Sequence, residues 1–222
     1  MNAQAKKWRI AIVDDHPMVR ERLADVVNSE PDMTVCGEAE TRVQALELLA
    51  QSHPDIVLLD LNLRDSQGVE AIKDIIAQEP STHILVISMH DESVFAERAM
   101  RAGARGYITK QEATRNVVVA IRKVLAGEPY LSDPLMKKLM GTMVGSSQGP
   151  VLASVDLLSD RELQVLRLLG LGRSTRQVAN ELHLEFSTVE TYRTRIKEKL
   201  NLPDANALRQ YAINWMRTTG KV

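Results

Sequence analysis

Through its first 126 residues the chain alternates short apolar runs with longer stretches in which apolar residues recur three or four positions apart. The runs Ile10–Val13, Thr34–Cys36, Ile56–Leu59, Ile84–Ile87 and Gly106–Ile108 read as strands. The stretches near 17–29, 41–51, 68–78, 92–101 and 113–126 read as amphipathic helices, with Ala45, Leu48 and Leu49 typical of the spacing. Several strands are almost continuously apolar, as a parallel sheet covered by helices on both faces requires. The pattern predicts an α/β fold, (βα)5, around a parallel sheet.

After Gly127 the pattern weakens. A short helical candidate at Pro134–Met140 leads into GTMVGSSQGP, whose Gly, Ser and Pro content predicts a linker ending near Val155. From Leu157 onward only helical patterns remain. Ser159 with Glu162, and Ser174 with Gln177, have the capping-box spacing that opens a helix. Leu163, Leu166 and Leu169 line the first of these helices; Val178, Ala179 and Leu182 line the second. A third covers about 187–200, best capped by spacing at Ser187 with Glu190, and Asp204 opens a fourth that carries Leu208, Tyr211, Ala212 and Trp215 on one face. A tight turn between the second and third gives a helix-turn-helix in a small all-α domain. The expected organisation is a first domain over 1–126, a linker with a short helix over 127–155 and a second domain over 156–222.

Charge sharpens this division. Residues 1–150 carry 17 Lys/Arg against 21 Asp/Glu, whereas 151–222 carry 11 against 8, so an acidic module precedes one suited to nucleic acid. No apolar run approaches the roughly 20 residues of a membrane span. The run after Lys6 and Lys7 ends at Asp14 and Asp15, which reads as a first strand rather than a secretory leader. A single cysteine, Cys36, excludes an internal disulfide and a multi-cysteine zinc site, and is expected as a buried strand residue of a cytoplasmic protein.

The polar residues with chemical potential gather where each strand ends: Asp14 and Asp15 after the first, Asp60 after the third, Ser88 after the fourth and Lys110 after the fifth. In an open parallel sheet that edge is where ligands bind. Three carboxylates crowded there would resist joint ionisation unless a cation joined them, and a hard divalent ion such as Mg²⁺ answers the problem. Asp60 is then a carboxylate nucleophile able to form an acyl phosphate, with Lys110 neutralising one phosphoryl oxygen and the Ser88 hydroxyl bonding another. Taken singly, each has a plainer reading: Asp15 as the cap of a helix starting at Pro17, Asp60 as a turn former, Lys110 as a solvated lysine, Tyr107 as half-buried strand packing.

The segments IAIVDDHPMVR, IVLLDLNLRDSQG, LVISMHDES and AGARGYITK resemble, in order, the signature segments of receiver domains in NarL/FixJ-type response regulators, over residues 8 to about 126. The resemblance implies a flavodoxin-like doubly wound sheet. It also implies Asp60 as phosphoacceptor, Asp15 and the Asn62 main-chain carbonyl as ligands of Mg²⁺ beside Asp60, and Asp14 as a ligand through water. Ser88 and Tyr107 match the family's switch pair, and Asn62 and His90 the positions that tune the lifetime of the phosphorylated state.

Residues 158–202 likewise resemble the LuxR-type helix-turn-helix. On the third helix Val189, Ile196 and Leu200 share a stripe expected to face the bundle, which turns Glu190, Thr191, Arg193, Thr194 and Lys197 outward, with Tyr192 and Arg195 at the flanks. With Thr188 these form the expected DNA-contacting set, the basic groups for phosphate and the shorter polar ones for base edges. Charge pattern alone would equally suit a solvated face. The chain departs from the family at Glu185, where Ser or Thr is common, and at Glu190, often a lysine. The resemblance implies a transcription regulator phosphorylated on Asp60 by a histidine kinase, binding double-stranded promoter DNA as a homodimer and not acting as an enzyme. A Mg²⁺-dependent phosphohydrolase and a phosphorylation-independent DNA binder are the rival readings; no second acid–base residue or substrate-enclosing cap supports the first.

Overall fold

A computed structural model describes residues 7–61, 63, 68–89, 92–133, 136–137, 155 and 157–218. Contacts divide the chain into two compact units, Met1–Val144 and Gly145–Val222. The short helix expected at Pro134–Met140 and the linker beyond it lie mostly outside the described residues, as do Asn62 and His90.

The first unit alternates β1 (Trp8–Val13), α1 (Pro17–Asn28), β2 (Met33–Ala39), α2 (Arg42–Ser52), β3 (Ile56–Leu59), α3 (Gly68–Gln78), β4 (His83–Ser88), α4 (Glu92–Arg101), β5 (Gly106–Thr109) and α5 (Lys110–Leu125). The strands form one sheet in the order β2-β1-β3-β4-β5, and each neighbouring pair is parallel. Side chains alternate across it. Ile10, Ile12, Ile56, Leu58, Leu85, Ile87 and Ile108 pack with Leu23 and Val27 of α1 and Val117, Ile121 and Val124 of α5. The intervening positions Ala11, Val13, Val57, Leu59, Ile84 and Val86 are buried as well, which accounts for the unbroken apolar runs. Strand order reverses between β1 and β3, and beyond their carboxyl ends lies the crevice where such sheets bind ligands.

Every strand but β3 runs past its sequence-based limits, and the largest extensions are those of β2 and of the start of α5. β2 runs to Ala39 through Gly37 and Glu38, and its register against β1 shifts at Ile10/Ala11. A Cβ at Gly37 would lie 2.3 Å from Leu48 Cδ1, so a larger residue there would require that half-buried side chain to shift. Cys36, expected buried, is only half-buried, with its Sγ 3.7 Å from Ser52 Oγ. α5 begins at Lys110 rather than near 113, because the Thr109 hydroxyl accepts from the Glu112 N–H and caps the helix directly after the strand.

The second unit holds α6 (Asp160–Gly170), α7 (Thr175–Glu181), α8 (Phe186–Lys199) and α9 (Ala205–Thr218). Both capping boxes form, at Ser159/Glu162 and Ser174/Gln177, and Asp204 Oδ1 accepts from the Ala207 N–H to open α9. The start of α8 corrects the expected Ser187/Glu190 cap: Glu185 occupies the N-cap position with no side-chain bond, and the Glu190 carboxylate pairs with Arg193 instead. Leu208, Ala212 and Trp215 are buried, so Trp215 belongs to the core. α6 and α9 touch backbone to side chain at Gly170, where an added Cβ would stand 2.7 Å from the Ala212 carbonyl oxygen and 2.5 Å from Met216 Cγ. Among the described residues no helix is long and apolar enough to cross a membrane.

Candidate functional site

β1 and β3 pair in register, and the ladder carries over into the acids that follow them. The Asp60 N–H donates to the Val13 carbonyl at 2.8 Å, and the Asp14 N–H to the Ala39 carbonyl at 3.1 Å. Asp14 and Asp60 are thereby held side by side, both buried. The cap at Thr109 puts Lys110 in the first turn of α5, aimed across the sheet edge. Its Nζ stands 2.6 Å from Asp14 Oδ2 and 2.7 Å from Asp60 Oδ2. Burial works to lower the Lys110 pKa, but the charge of Asp60 and the hydrogen bonds to Asp14 and Asp60 outweigh it and hold the ammonium above the ordinary lysine value.

Asp15 does not cap α1; the N-cap residue is His16, whose side chain makes no capping bond to the helix and which precedes Pro17. The His16 N–H donates to Asp14 Oδ1 at 2.9 Å, and its Nδ1 lies 3.0 Å from that oxygen and 2.7 Å from Asp15 Oδ1. One potential ligand atom from each of Asp14, Asp15, His16 and Asp60 falls within 4.8 Å of the others. Three carboxylates facing one lysine leave the pocket with an excess of negative charge and an oxygen-rich donor set, which suits a hard divalent cation better than a thiophilic one. His16 was not singled out in the sequence; its place directly after two aspartates was the available signal.

Ser88 is the last residue of β4, fully buried at the same edge. Tyr107, inside β5, is also fully buried rather than half-buried, and its N–H donates to the Tyr130 carbonyl at 2.8 Å. The structure therefore brings Lys110 into contact with Asp14 and Asp60, keeps Asp15 within 4.8 Å of both acids, puts Ser88 at the same sheet edge and Tyr107 within the neighbouring strand.

On α8, Val189 and Ile196 are buried and Leu200 half-buried, as the stripe predicts. Thr191, Thr194 and Arg195 are exposed and, with Glu190 and Glu198, line an open hollow. Thr188, Tyr192 and Lys197 of the same helix are half-buried. Arg193 departs from expectation: its Nη1 donates to Thr175 Oγ1 and to Glu190 Oε1, each at 2.6 Å, so it ties α8 to the start of α7 instead of facing outward. Lys199 Nζ donates to Glu162 Oε2 at 2.7 Å and anchors the far end of α8 to α6. Burial would raise the Glu162 pKa, but the Lys199 hydrogen bond and the Ser159 N–H hold it below the ordinary value.

A doubly wound receiver-like sheet with an acid pocket at its switch point, joined to a helix-turn-helix, defines a signal-responsive DNA-binding protein. The family model of the response regulator receiver domain matches residues 10–122, and that of the luxR family of bacterial regulatory proteins matches 156–212. The chain belongs to the response regulators that pair these two domains; it is a two-component response regulator acting as a DNA-binding transcription factor, not an enzyme. It is similar to the oxygen regulatory protein NreC of Staphylococcus epidermidis, 32% identical over 210 residues, covering 92% of this chain and 96% of that one. Among solved structures, a LuxR-family two-component response regulator from Aurantimonas is 36% identical, with a TM-score of 0.57 over 63% of this chain and 100% of its own. The receiver domain of NarL from Mycobacterium tuberculosis is 31% identical, with a TM-score of 0.53 over 55% of this chain and 99% of its own. RcsB of Salmonella enterica serovar Typhimurium, bound to a promoter, shares the fold at 22% identity and a TM-score of 0.59, covering 94% of this chain and 99% of its own.

Proposed function

We propose that Asp60 accepts a phosphoryl group from the phosphohistidine of a sensor kinase and that this event controls how the C-terminal helix-turn-helix engages promoter DNA. The observation that carries the reading is the Lys110 ammonium in contact with both Asp14 and Asp60 at the crevice of the sheet. An Asp60 oxygen attacks phosphorus, the P–N bond breaks, an acyl phosphate forms and the imidazole departs with a proton. Mg²⁺, held by Asp14, Asp15, Asp60 and the Asn62 carbonyl, would supply charge neutralisation for the transferring oxygens. Lys110 then exchanges one carboxylate partner for a phosphoryl oxygen, and the Ser88 hydroxyl donates to another.

That exchange shifts charge at the end of β4 and β5, where Ser88 and Tyr107 couple the pocket to the face of α4, β5 and α5. In the second domain, Thr188, Glu190, Thr191, Thr194 and Arg195 are read as the groove-facing set, with Tyr192 and Lys197 at the margins and Arg193 as a brace that fixes Glu190. We assign the receiver to 1–126 and the DNA-binding domain to 156–222, and place the protein in the cytoplasm as a homodimer when phosphorylated or on DNA.

The test exposes the chain and its Asp60→Asn variant to a small phosphodonor with Mg²⁺. The expected result is one phosphoryl group on the former, none on the latter, and tighter promoter binding only for the former. Equal labelling of both would remove Asp60 as acceptor.

A further inference from the structure

Arg20 is a charge on the apolar stripe of α1. It precedes Leu23 and Val27 by three and seven residues and, like them, is buried. Burying a guanidinium is tolerated when its donors find acceptors, and each of its three nitrogens does. Nη1 donates to the main-chain carbonyl of Asp14 at 2.6 Å, Nε to Glu38 Oε2 at 3.3 Å and Nη2 to Glu40 Oε1 at 2.5 Å. Glu38 lies near the end of β2 and Glu40 just past it.

Asp14 is consequently gripped on both sides of its Cα. Its N–H is bound to the Ala39 carbonyl and its own carbonyl to Arg20. With both flanking peptide planes fixed, the Asp14 side chain is confined to the pocket, where Oδ1 accepts from the His16 N–H and Oδ2 meets Lys110. The carbonyl that Arg20 holds belongs to the peptide linking Asp14 to Asp15, so the same bond orients both acids. Glu38 and Glu40 offset the guanidinium charge, which would otherwise oppose a cation in the pocket.

We propose that Arg20 is a positioning residue for divalent-cation binding: by clamping the Asp14–Asp15 peptide it presents their carboxylates as a preformed oxygen set, without itself touching the ion. The proposal rests on the reading of this pocket as a Mg²⁺-dependent phosphoacceptor site. A small, hard cation demands near-ideal ligand geometry, so a clamp outside its ligand shell acts on affinity more than on chemistry.

The experiment titrates Mn²⁺, a paramagnetic stand-in, into the full chain, Arg20→Lys and Arg20→Met, reading free ion by electron paramagnetic resonance. Melting temperature and labelling by a small phosphodonor at saturating Mg²⁺ are measured in parallel. Arg20→Met is expected to raise the Mn²⁺ dissociation constant about tenfold, the lower end of what removing a ligand-orienting partner costs. Arg20→Lys, which keeps a donor for the Asp14 carbonyl but presents its N–H groups from one atom rather than from a planar fork, recovers part of the loss, and labelling at saturating cation stays within about twofold in both. Arg20→Lys guards against failure of Arg20→Met to fold. Unchanged Mn²⁺ affinity with a lowered melting temperature would assign Arg20 to the scaffold and overturn the proposal. A parent chain that binds no Mn²⁺ would overturn the phosphoacceptor reading itself, a result separable from the first.

Discussion

Lys110 Nζ lies 2.7 Å from Asp60 Oδ2, on a side chain only 8% exposed, so the residue read as phosphoacceptor rests against a buried ammonium that it shares with Asp14. Replacing Lys110 by Met would leave two buried carboxylates facing each other. Breaking a buried pair from one side costs about 3–5 kcal/mol. Lys110→Met is therefore expected to be less stable than the parent chain in urea without divalent cation, and to regain more stability than the parent when Mg²⁺ is added. Equal Mg²⁺ effects on both would argue that cation and lysine do not share these acids.

The same contact sets an alkaline limit. The Lys110 pKa is raised in the folded state, burial being outweighed by Asp60 and Asp14. A raised folded value means that the ammonium contributes stability below the unfolded lysine pKa of about 10.4 and that this contribution is lost as pH climbs through the folded value. Urea midpoints measured from pH 9 to 11.5 should fall more steeply for the parent chain than for Lys110→Met.

Glu162 gives the opposite sign in the second domain. Its pKa is lowered, burial being overcome by Lys199 and the Ser159 N–H, so its contribution is present above the unfolded glutamate value of about 4.3 and disappears as pH falls through the folded value. Glu162→Gln should flatten the acid limb of the melting curve. At neutral pH it should cost about 1 kcal/mol, or roughly 4–8 °C for a domain of this size.

At Gly170 the α6–α9 contact leaves no room for a methyl group, since the nearest neighbour includes the Ala212 main-chain oxygen. Gly170→Ala should cost about 1–3 kcal/mol by overpacking, although alanine is the better helix former. Calorimetry that shows a stabilised second transition would contradict this packing.

On α8, Arg195 is exposed beside Thr191 and Thr194. If it meets phosphate, Arg195→Ala weakens binding to all sequences alike and reduces the slope of log affinity against log salt by about 1, whereas Thr194→Ala alters preference at one base position. Electrophoretic shifts at several salt concentrations distinguish the two. An unchanged salt slope for Arg195→Ala would remove it from the phosphate contacts.

The alternation of strand and helix in the first 126 residues was legible because the central strands, buried on both faces, read as unbroken apolar runs, while helices buried on one face repeat their apolar residues every three or four positions. The acids Asp14, Asp15 and Asp60 were legible as a group because parallel strands bring all their carboxyl ends to one edge. Helix starts were read well where Ser159 and Ser174 carried a partner three residues on, and less well where Thr109 capped with a hydroxyl alone or where Glu185 made no cap bond.

Sequence by itself thus determined the two domains' architectures and the identity of the acid cluster, because burial periodicity and strand-end position are properties of a single chain direction. Only tertiary structure decided that Lys110 joins Asp14 to Asp60, that His16 stands over Asp15, that Arg20 clamps Asp14 and that Arg193 is spent on Thr175 and Glu190. The two Lys110 contacts and the Arg193–Thr175 bond join elements distant in sequence, and in all of these contacts the choice among several reachable partners is made by geometry that no local pattern encodes.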